Sequence, residues 1–313
     1  MEKTKIILDV DTGVDDALAV LYALASPRLE VLGLTTCFGN VDVDTATRNT
    51  LALVALSGRD VPVYRGSEAP LLRPWSGPVP WIHGENGLGN APVTASGRPA
   101  EEDAVHFIRR VVREHPHEVV LVPVARLTNV AKAFLFDPEL PRLVRRVVVM
   151  GGAAFCPGNV TPVAEANIWG DPEAARIVFK SGAPVTMVGL DVTMRTLLVH
   201  EQLASMAARP YRALVQEAVR FYMHSYYAAG RVPSLSCPLH DPLAVGVAED
   251  PALCTVRRYA VDVETQGELT AGMTVVDARA DSAAEKNVDV CVDVDAPAFL
   301  QRFCAVLGMD ASA

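Results

Sequence analysis

The sequence lacks an excess of basic residues. Its 313 residues include 28 Lys and Arg against 37 Asp and Glu, which gives a formal net charge of −9. Proteins that bind nucleic acids hold the phosphate backbone with clustered positive charge, so we expect no nucleic acid among the partners of this chain. Half of the residues are hydrophobic and 21% are charged, a balance that predicts a folded globular protein with a large core.

The sequence also lacks long apolar segments and paired cysteines. No uncharged apolar run reaches the roughly 18 residues that a membrane span needs, and the apolar run near the first residue meets acidic residues at once, unlike a signal peptide. We therefore expect no membrane association. The six cysteines lie far apart without a Cys-x-x-Cys pair, which favours a reduced, cytoplasmic protein with buried thiols over a disulfide-linked one.

Apolar runs of strand length alternate with amphipathic segments of helix length, beginning with TKIILDV and DDALAVLYALAS. This alternation predicts βαβ units, and the near-continuous Val, Ile and Leu runs predict strands that helices cover on both faces. We expect an α/β fold in which residues 1–313 form one domain around a mainly parallel, Rossmann-like sheet. Two segments, 66–100 and 221–240, interrupt the alternation and are expected to be long irregular loops.

Four carboxylates lie within eight residues at the end of the first predicted strand and in the turn and helix start after it: Asp9, Asp11, Asp15 and Asp16. Capping of the next helix accounts for Asp15 and Asp16, because a helix N-terminus favours negative charge. It does not account for the other two. Carboxylates this close repel each other unless positive charge lies among them. The cluster therefore favours a hard-cation site, with a solvated acidic turn as the alternative.

The residues of this acidic turn indicate which ligand it could bind. The absence of a nearby His and Cys cluster favours Ca²⁺ or Mg²⁺ over Zn²⁺. An EF-hand loop that begins at Asp9 needs glycine at its sixth position, where the chain has Val14. The turn contains a single glycine, Gly13, so it does not match the G-x-G-x-x-G motif of dinucleotide-binding proteins either.

Polar residues also follow other predicted strands. The second strand leads into Asn40, and the loop at 158–169 carries Asn159, Glu165 and Asn167. In a parallel sheet these residues lie at the same edge as the acidic turn, where ligands bind. Amides and carboxylates exchange hydrogen bonds with hydroxyl groups, so the loop suits a polyhydroxy ligand, with hydrogen bonding inside the loop as the alternative.

Six separated motifs occur in order along the chain: DVDTGVDDA at 9–17, GN at 39–40, HGENGLG at 83–89, LTN at 127–129, GNVTPVAEANIW at 158–169 and HDP at 240–242. Together they resemble the nucleoside hydrolases of the inosine-uridine-preferring type over nearly the whole chain. The resemblance implies an α/β nucleoside hydrolase fold and an N-ribohydrolase that cleaves purine or pyrimidine ribonucleosides to free base and ribose. It also implies a tightly held Ca²⁺, no organic cofactor, and a homodimer or homotetramer.

The resemblance further implies roles for residues of this chain. The expected Ca²⁺ ligands are three carboxylates and one backbone carbonyl, those of Asp11, Asp16, Asp241 and Val124. Asp9 is expected to support this metal shell. Asp11 is also the expected general base on the Ca²⁺-bound water, which Asn40 helps to position. The residues expected at the ribose are Asp15, Asn159, Glu165, Asn167 and Asp241.

Histidines and tyrosines are expected on the side of the base. The resemblance implies that His83 and His240 face the base and that Tyr226 or Tyr222 covers it. Bond cleavage leaves negative charge on the departing base, and histidine has an unperturbed pKa suited to donating a proton at neutral pH. We therefore expect His240 to be the general acid. His83 is expected to assist, with a structural loop histidine as the alternative.

Three positions depart from the family pattern. Thr12 stands where many members have proline, Ala125-Arg126 replaces a commoner Gly-rich or Gly-Pro pair, and Ala166 replaces a frequent aromatic residue. None of these departures removes an expected catalytic side chain.

Two other functions remain open from the sequence alone. A hydrophobic strand followed by Asp9-x-Asp11 resembles the nucleophile loop of phosphatases of the haloacid-dehalogenase type, although Gly13 stands where that loop has Thr or Val. A calcium- or sugar-binding module without catalysis is the third possibility.

Overall fold

A computed structural model describes residues 3–94 and 97–313. The strands in these residues are β1 (Thr4–Val10), β2 (Leu29–Thr36), β3 (Val63–Arg65), β4 (Val120–Pro123), β5 (Arg146–Met150), β6 (Val185–Val188), β7 (Leu197–Val199), β8 (Ser236–Pro238), β9 (Cys254–Val263), β10 (Thr274–Asp277) and β11 (Val288–Val294). The helices are α1 (Val14–Ala25), α2 (Val43–Ser57), α3 (Pro80–His83), α4 (Ala104–Glu114), α5 (Thr128–Phe136), α6 (Leu140–Leu143), α7 (Ala166–Gly170), α8 (Pro172–Lys180), α9 (Leu190–Thr193), α10 (His200–Ala204), α11 (Arg212–Ala228), α12 (His240–Glu249) and α13 (Ala296–Leu307).

Most of the strands belong to one large sheet. In the described part of the chain its order is β10-β9-β11-β6-β5-β4-β1-β2-β3, and β7 and β8 form a separate pair. Neighbours from β11 to β3 pair in parallel, whereas β9 runs antiparallel to both β10 and β11. The prediction of an α/β fold with a mainly parallel central sheet is confirmed.

Helices cover both faces of the sheet. Along β1, Ile6 and Leu8 belong to the hydrophobic core that contains α1, α11, α12 and α13, whereas Ile7 belongs to the core that contains α4, α5 and α8. This alternation follows from the two-residue period of a strand, and it explains why the central residues of β1, Ile6 to Leu8, are apolar on both faces. No helix in the described residues is long and apolar enough to cross a membrane.

The strand order changes direction beside β1. The chain places β2 and β3 on one side of β1, and β4, β5 and β6 on the other. Such a switch point opens a crevice at the carboxyl ends of the strands, where ligands of α/β proteins bind. The acidic turn follows β1, Asn40 follows β2 and Val124 follows β4, so the fold brings all three to this crevice.

The prediction of an irregular loop at 221–240 is wrong for the first part of that segment, because α11 continues to Ala228. Its buried positions recur three and four residues apart, which is the spacing of one helical face. Tyr222 and Tyr226 lie on that face, one turn apart. In the segment 66–100, α3 is the helix found in the described residues, while positions 95 and 96 lie outside them.

A buried carboxylate joins α1 to α12 at the ends farthest from the crevice. Glu249 Oε2 accepts hydrogen bonds from the hydroxyls of Tyr22 at 2.8 Å and Ser26 at 3.1 Å. The guanidinium nitrogens of Arg28 and Arg302 lie 3.6 and 3.9 Å from Oε1. A buried carboxylate needs such partners, so this contact fixes the two helices relative to each other.

We predict that Tyr22→Phe lowers the free energy of unfolding by about 2 kcal/mol, because Glu249 loses a hydrogen-bond donor in a buried position. Urea denaturation measures the change. Tyr227→Phe is the matched control, since the Tyr227 side chain is 54% exposed and its hydroxyl has no such role. Equal stability of the two variants would contradict a structural role for the Tyr22 contact.

Candidate active site

Three carboxylates converge at the floor of the crevice. Asp15 and Asp16 lie in the first turn of α1 and Asp241 in the first turn of α12. One ligand oxygen from each lies within 4.8 Å of the others. Burial, followed by the charges of the neighbouring carboxylates, raises the pKa of Asp15 to about 7 and the pKa values of Asp16 and Asp241 well above their usual range. Buried oxygen ligands of this kind fit a hard divalent cation.

Asp11 lies beside this group and is held by different partners. Its carboxylate accepts hydrogen bonds from the Asn40 backbone N–H at 2.7 Å and from Asn40 Nδ2 at 3.1 Å, and it forms an ion pair with Arg126. The Asp11 backbone N–H donates to Asp16 Oδ1 at 3.0 Å. The convergent group therefore contains Asp15 where the resemblance implies Asp11, although the two carboxylates are neighbours.

Asp9 lies beneath the crevice, where it connects three elements. Its Oδ1 accepts hydrogen bonds from the Thr35 hydroxyl of β2 at 2.6 Å and from Asn129 Nδ2 of α5 at 2.8 Å. Its Oδ2 is buried without a hydrogen-bond partner in the described residues. Burial raises the pKa of Asp9 to about 7. The contribution of Asn129 was missed from the sequence, although it lies in the LTN motif.

The predicted sugar-binding loop makes hydrogen bonds within itself. Glu165 caps α7 and accepts from the backbone N–H of Asn167 at 2.9 Å and of Gly152 at 3.0 Å. Asn159 Oδ1 accepts from the backbone N–H of Ala166 at 3.0 Å. The alternative prediction, hydrogen bonding inside the loop, therefore describes these contacts. The same hydrogen bonds hold Glu165 and Asn159 at the wall of the crevice.

Asn167 also contacts the loop after β4. Its Nδ2 donates to the carbonyl of Val124 at 2.8 Å and to the carbonyl of Met150 at 3.1 Å. A carbonyl oxygen has two lone pairs, so the Val124 carbonyl retains acceptor capacity beside the carboxylates. Met150 lines the crevice and was missed from the sequence, because a methionine at the end of a strand gives no functional signal.

His240 lies between two hydroxyl groups. Its Nε2 is 2.9 Å from the Tyr226 hydroxyl and its Nδ1 is 2.7 Å from the Thr193 hydroxyl. Burial, together with the charge of Arg231, lowers the pKa of His240 to about 3. The assumption of an unperturbed histidine pKa is therefore wrong, and the imidazole is neutral at pH 7. Thr193 could not be found from the sequence, since it is 47 residues away.

His83 contacts the start of α1. Its Nδ1 accepts a hydrogen bond from the Val14 backbone N–H at 3.1 Å, and its ring stacks on Tyr222 with centroids 5.5 Å apart. Burial, followed by the charge of Arg126, lowers the pKa of His83 to about 3. These contacts support the alternative that His83 is a structural loop histidine, because its ring satisfies a backbone N–H group at the N-terminus of α1.

Two adjoining cavities open into the crevice, with volumes of about 300 and 50 Å³. The residues that line both are Asn40, His83, Asn159, Ala166 and Tyr226. The smaller cavity also reaches Asp15, Asp241 and His240, and the larger one has Trp81 and Trp169 in its wall. The larger volume is at the lower end of the range for small-molecule sites, and its wall combines aromatic surface with a few polar groups.

Comparison with known proteins gives one consistent family. A model of the inosine-uridine preferring nucleoside hydrolases matches residues 6–301. Uridine nucleosidase 1 of Arabidopsis thaliana is 40% identical over 277 residues, which cover 87% of this chain and 82% of that protein. Pyrimidine-specific ribonucleoside hydrolase RihA of Citrobacter koseri is 40% identical over 311 residues, covering 98% and 99%.

Similar solved structures are nucleoside hydrolases as well. A purine-preferring ribonucleoside hydrolase from Gardnerella vaginalis superposes with a TM-score of 0.90 at 39% identity, covering 97% of this chain and 98% of that one. The plant nucleoside hydrolase PpNRh1 gives a TM-score of 0.89 at 35% identity, covering 97% of both chains.

The fold and these relatives define a glycosidase-type enzyme that hydrolyses ribonucleosides. The chain belongs to the inosine-uridine preferring nucleoside hydrolase family. This membership sets aside both the phosphatase and the non-catalytic binding module. A nucleoside substrate fits the family, which is known for a metal ion, and the aspartate cluster could hold one.

We predict that Asp9→Asn changes how the stability of the metal-free protein depends on pH. The pKa of Asp9 is about 7 in the folded chain and 3.8 is its usual value, so the folded chain holds a proton that the unfolded chain has lost between these pH values. Stability from Asp9 therefore falls as pH rises from about 4 to 7. Asparagine cannot ionise, so the variant should gain stability relative to the wild type as pH rises.

Urea denaturation in a chelating buffer from pH 5 to pH 8 measures this difference. Asp60→Asn serves as the control, because Asp60 is an exposed carboxylate, and its difference from the wild type should stay level. A difference between Asp9→Asn and the wild type that stays constant over this range would contradict the prediction.

Proposed function

We propose that the metal ion of this hydrolase is Ca²⁺, with Asp11, Asp16, Asp241 and the Val124 carbonyl as its ligands. The observation that carries this proposal is the buried oxygen cluster at the floor of the crevice, in which carboxylate oxygens of Asp15, Asp16 and Asp241 lie within 4.8 Å of one another. Asp11 adjoins this cluster, since Asn40 Nδ2 donates to Asp11 Oδ1 and to Asp16 Oδ2, both at 3.1 Å. Ca²⁺ takes about six to eight oxygen ligands from carboxylates, carbonyls and waters, and this cluster offers donors of those kinds.

The ribose is proposed to bind directly above this cluster. Its hydroxyl groups would contact the side chains of Asp15, Asn159, Glu165, Asn167 and Asp241. Asp15 Oδ1 is buried and has no hydrogen-bond partner in the described residues, so it supports the role of acceptor. The backbone contacts of Glu165 and Asn159 hold these side chains in place before substrate binds, which lowers the entropy lost on binding.

Cleavage of the N-glycosidic bond builds positive charge on the ribose and negative charge on the base. The bound cation would supply an acidified, oriented water and contacts to sugar hydroxyls. Asp11 is proposed to accept the proton of the attacking water as general base. Asn40 donates to Asp11 at 2.7 and 3.1 Å and would hold it in position, while Asp9 supports the end of β1 from beneath.

At the other end of the bond, His240 is proposed to protonate the departing base. Because its pKa is lowered to about 3, the imidazole is neutral at pH 7 before the bond breaks. Negative charge that develops on the base would favour its protonated form, so it would take up a proton from water and pass it to the base with the help of the Tyr226 hydroxyl, 2.9 Å from Nε2. The buried rings of Tyr222 and Tyr226 are proposed to cover the base. His83 is proposed to contact the base through the part of its ring that faces the larger cavity.

We further propose pyrimidine ribonucleosides, uridine first, as substrates, because two relatives at 40% identity are named for uridine and for pyrimidines. The relative named for purines makes inosine the necessary comparison. We propose a homodimer or homotetramer that works in the cytoplasm, where unpaired thiols such as the six in this chain persist. One sheet takes strands from residue 4 to residue 294, which supports residues 1–313 as one domain.

We predict that Asp11→Asn lowers kcat on uridine by about 1,000-fold, because an amide cannot accept the proton of the attacking water. A reducing-sugar assay measures the loss. Asp60→Asn is the control and should keep wild-type turnover. In the wild type, prolonged chelation should abolish turnover and Ca²⁺ should restore it. If Asp11→Asn retained most of its activity, the assigned role would be wrong.

We predict that the loss of activity caused by His240→Ala depends on the leaving group of the substrate. Turnover of uridine should fall by about 100-fold or more, whereas turnover of a nitrophenyl riboside should fall by less than about tenfold, because nitrophenolate leaves without a proton. Steady-state kinetics on both substrates measures the ratio. Equal losses on the two substrates would show that His240 does not donate the proton.

A further inference from the structure

Arg126 is buried inside the acidic crevice at a position where the chain departs from the family pattern. The residue is 5% exposed. Its Nη1 forms an ion pair with Asp11 and lies 3.3 Å from the Oδ1 atoms of both Asn40 and Asn167. One cationic nitrogen thus contacts groups that follow β1 and β2 and a group in α7.

Two glycines form the walls of the slot that holds this arginine. A Cβ atom at Gly39 would overlap Oδ2 of Asp11 and would lie 2.5 Å from Nη1 of Arg126, so this wall has to be bare for both members of the ion pair. A Cβ atom at Gly170 would lie 2.7 Å from both Cγ and Nε of Arg126. Contacts this short do not occur for real side chains. The guanidinium fits between the loop after β2 and the last residue of α7 because neither Gly39 nor Gly170 carries a side chain.

The charge of Arg126 lies where it opposes a second cation. Asp11 is one of the proposed ligands of the divalent ion, and in this structure its carboxylate is shared between Asn40 and Arg126. A guanidinium beside a metal site repels the incoming ion, and the repulsion is strong because water is excluded. The same guanidinium offsets carboxylate repulsion when the ion is absent.

We propose that Arg126 is a built-in cation that competes with the divalent metal ion for Asp11, so that it weakens metal binding and holds the crevice together in the metal-free protein. This inference rests on the proposed metal site. Arg126 acts through Asp11 and Asn40 as a positioning residue. Two kinds of variant distinguish the effect of the charge from that of the side-chain shape. Lysine at position 126 keeps the positive charge, whereas glutamine or methionine removes it.

The experiment measures Ca²⁺ binding by calorimetry on the full-length protein after prolonged chelation. Arg126→Gln and Arg126→Met should each bind Ca²⁺ at least about tenfold more tightly than the wild type, while Arg126→Lys should stay within about threefold. In thermal unfolding, both neutral variants should melt below the wild type without metal and should gain more than the wild type when Ca²⁺ is added, because tighter binding to the folded state raises stability further.

Arg231→Gln is the matched control. Arg231 lines the same large cavity, but its guanidinium donates to the Asn159 carbonyl at 3.1 Å and does not contact Asp11. Its removal should change the Ca²⁺ affinity by less than about threefold.

The outcomes separate this inference from the proposed function. If the wild type binds Ca²⁺ and the neutral variants bind it equally or more weakly, the competition is refuted while the metal site stands. If the neutral variants alone bind Ca²⁺, the competition is supported in its strongest form. If neither the wild type nor any variant binds Ca²⁺, both the metal site and the competition are overturned.

Discussion

The structure depends on burying several carboxylates side by side at the point where the strand order changes direction. Asp15, Asp16 and Asp241 can lie together because two helices begin there, and a helix N-terminus offers unpaired N–H groups and a positive dipole end to each carboxylate. Asp16 also accepts from the turn that precedes α1, since its oxygens bind the backbone N–H groups of Asp11 and Gly13 at 3.0 and 2.9 Å. The remaining negative charge makes the crevice suited to a cation.

Several side chains serve the fold and the site at the same time. Glu165 caps a helix while it lines the crevice, and His83 satisfies the first N–H group of α1 while it faces the larger cavity. Glu249 acts at a distance, because it fixes the far ends of the two helices whose starts carry the acidic residues. The geometry of the crevice is therefore set by the same hydrogen bonds that stabilise the helices.

Local patterns predicted much of this arrangement. The turn from Asp9 to Asp16 is contiguous, and its place after an apolar strand fixed its location at the sheet edge. Contacts between distant segments were not predictable from composition or spacing, and Thr193 beside His240 is one such contact. The low pKa of His240 was missed for the same reason, since burial arises only when the chain has folded. The helical part of 221–240 was missed although its apolar residues recur at helical spacing.

The slot around Arg126 also restricts which side chains two distant backbone positions can carry. A Cβ atom at position 170 would lie 2.7 Å from Cγ and Nε of the arginine stem. Position 39 is restricted twice, because a Cβ atom there would lie 2.5 Å from Nη1 of Arg126 and would overlap Oδ2 of Asp11. A shorter residue at position 126 would therefore remove the contacts that exclude a side chain at position 170, whereas position 39 would still need glycine beside Asp11.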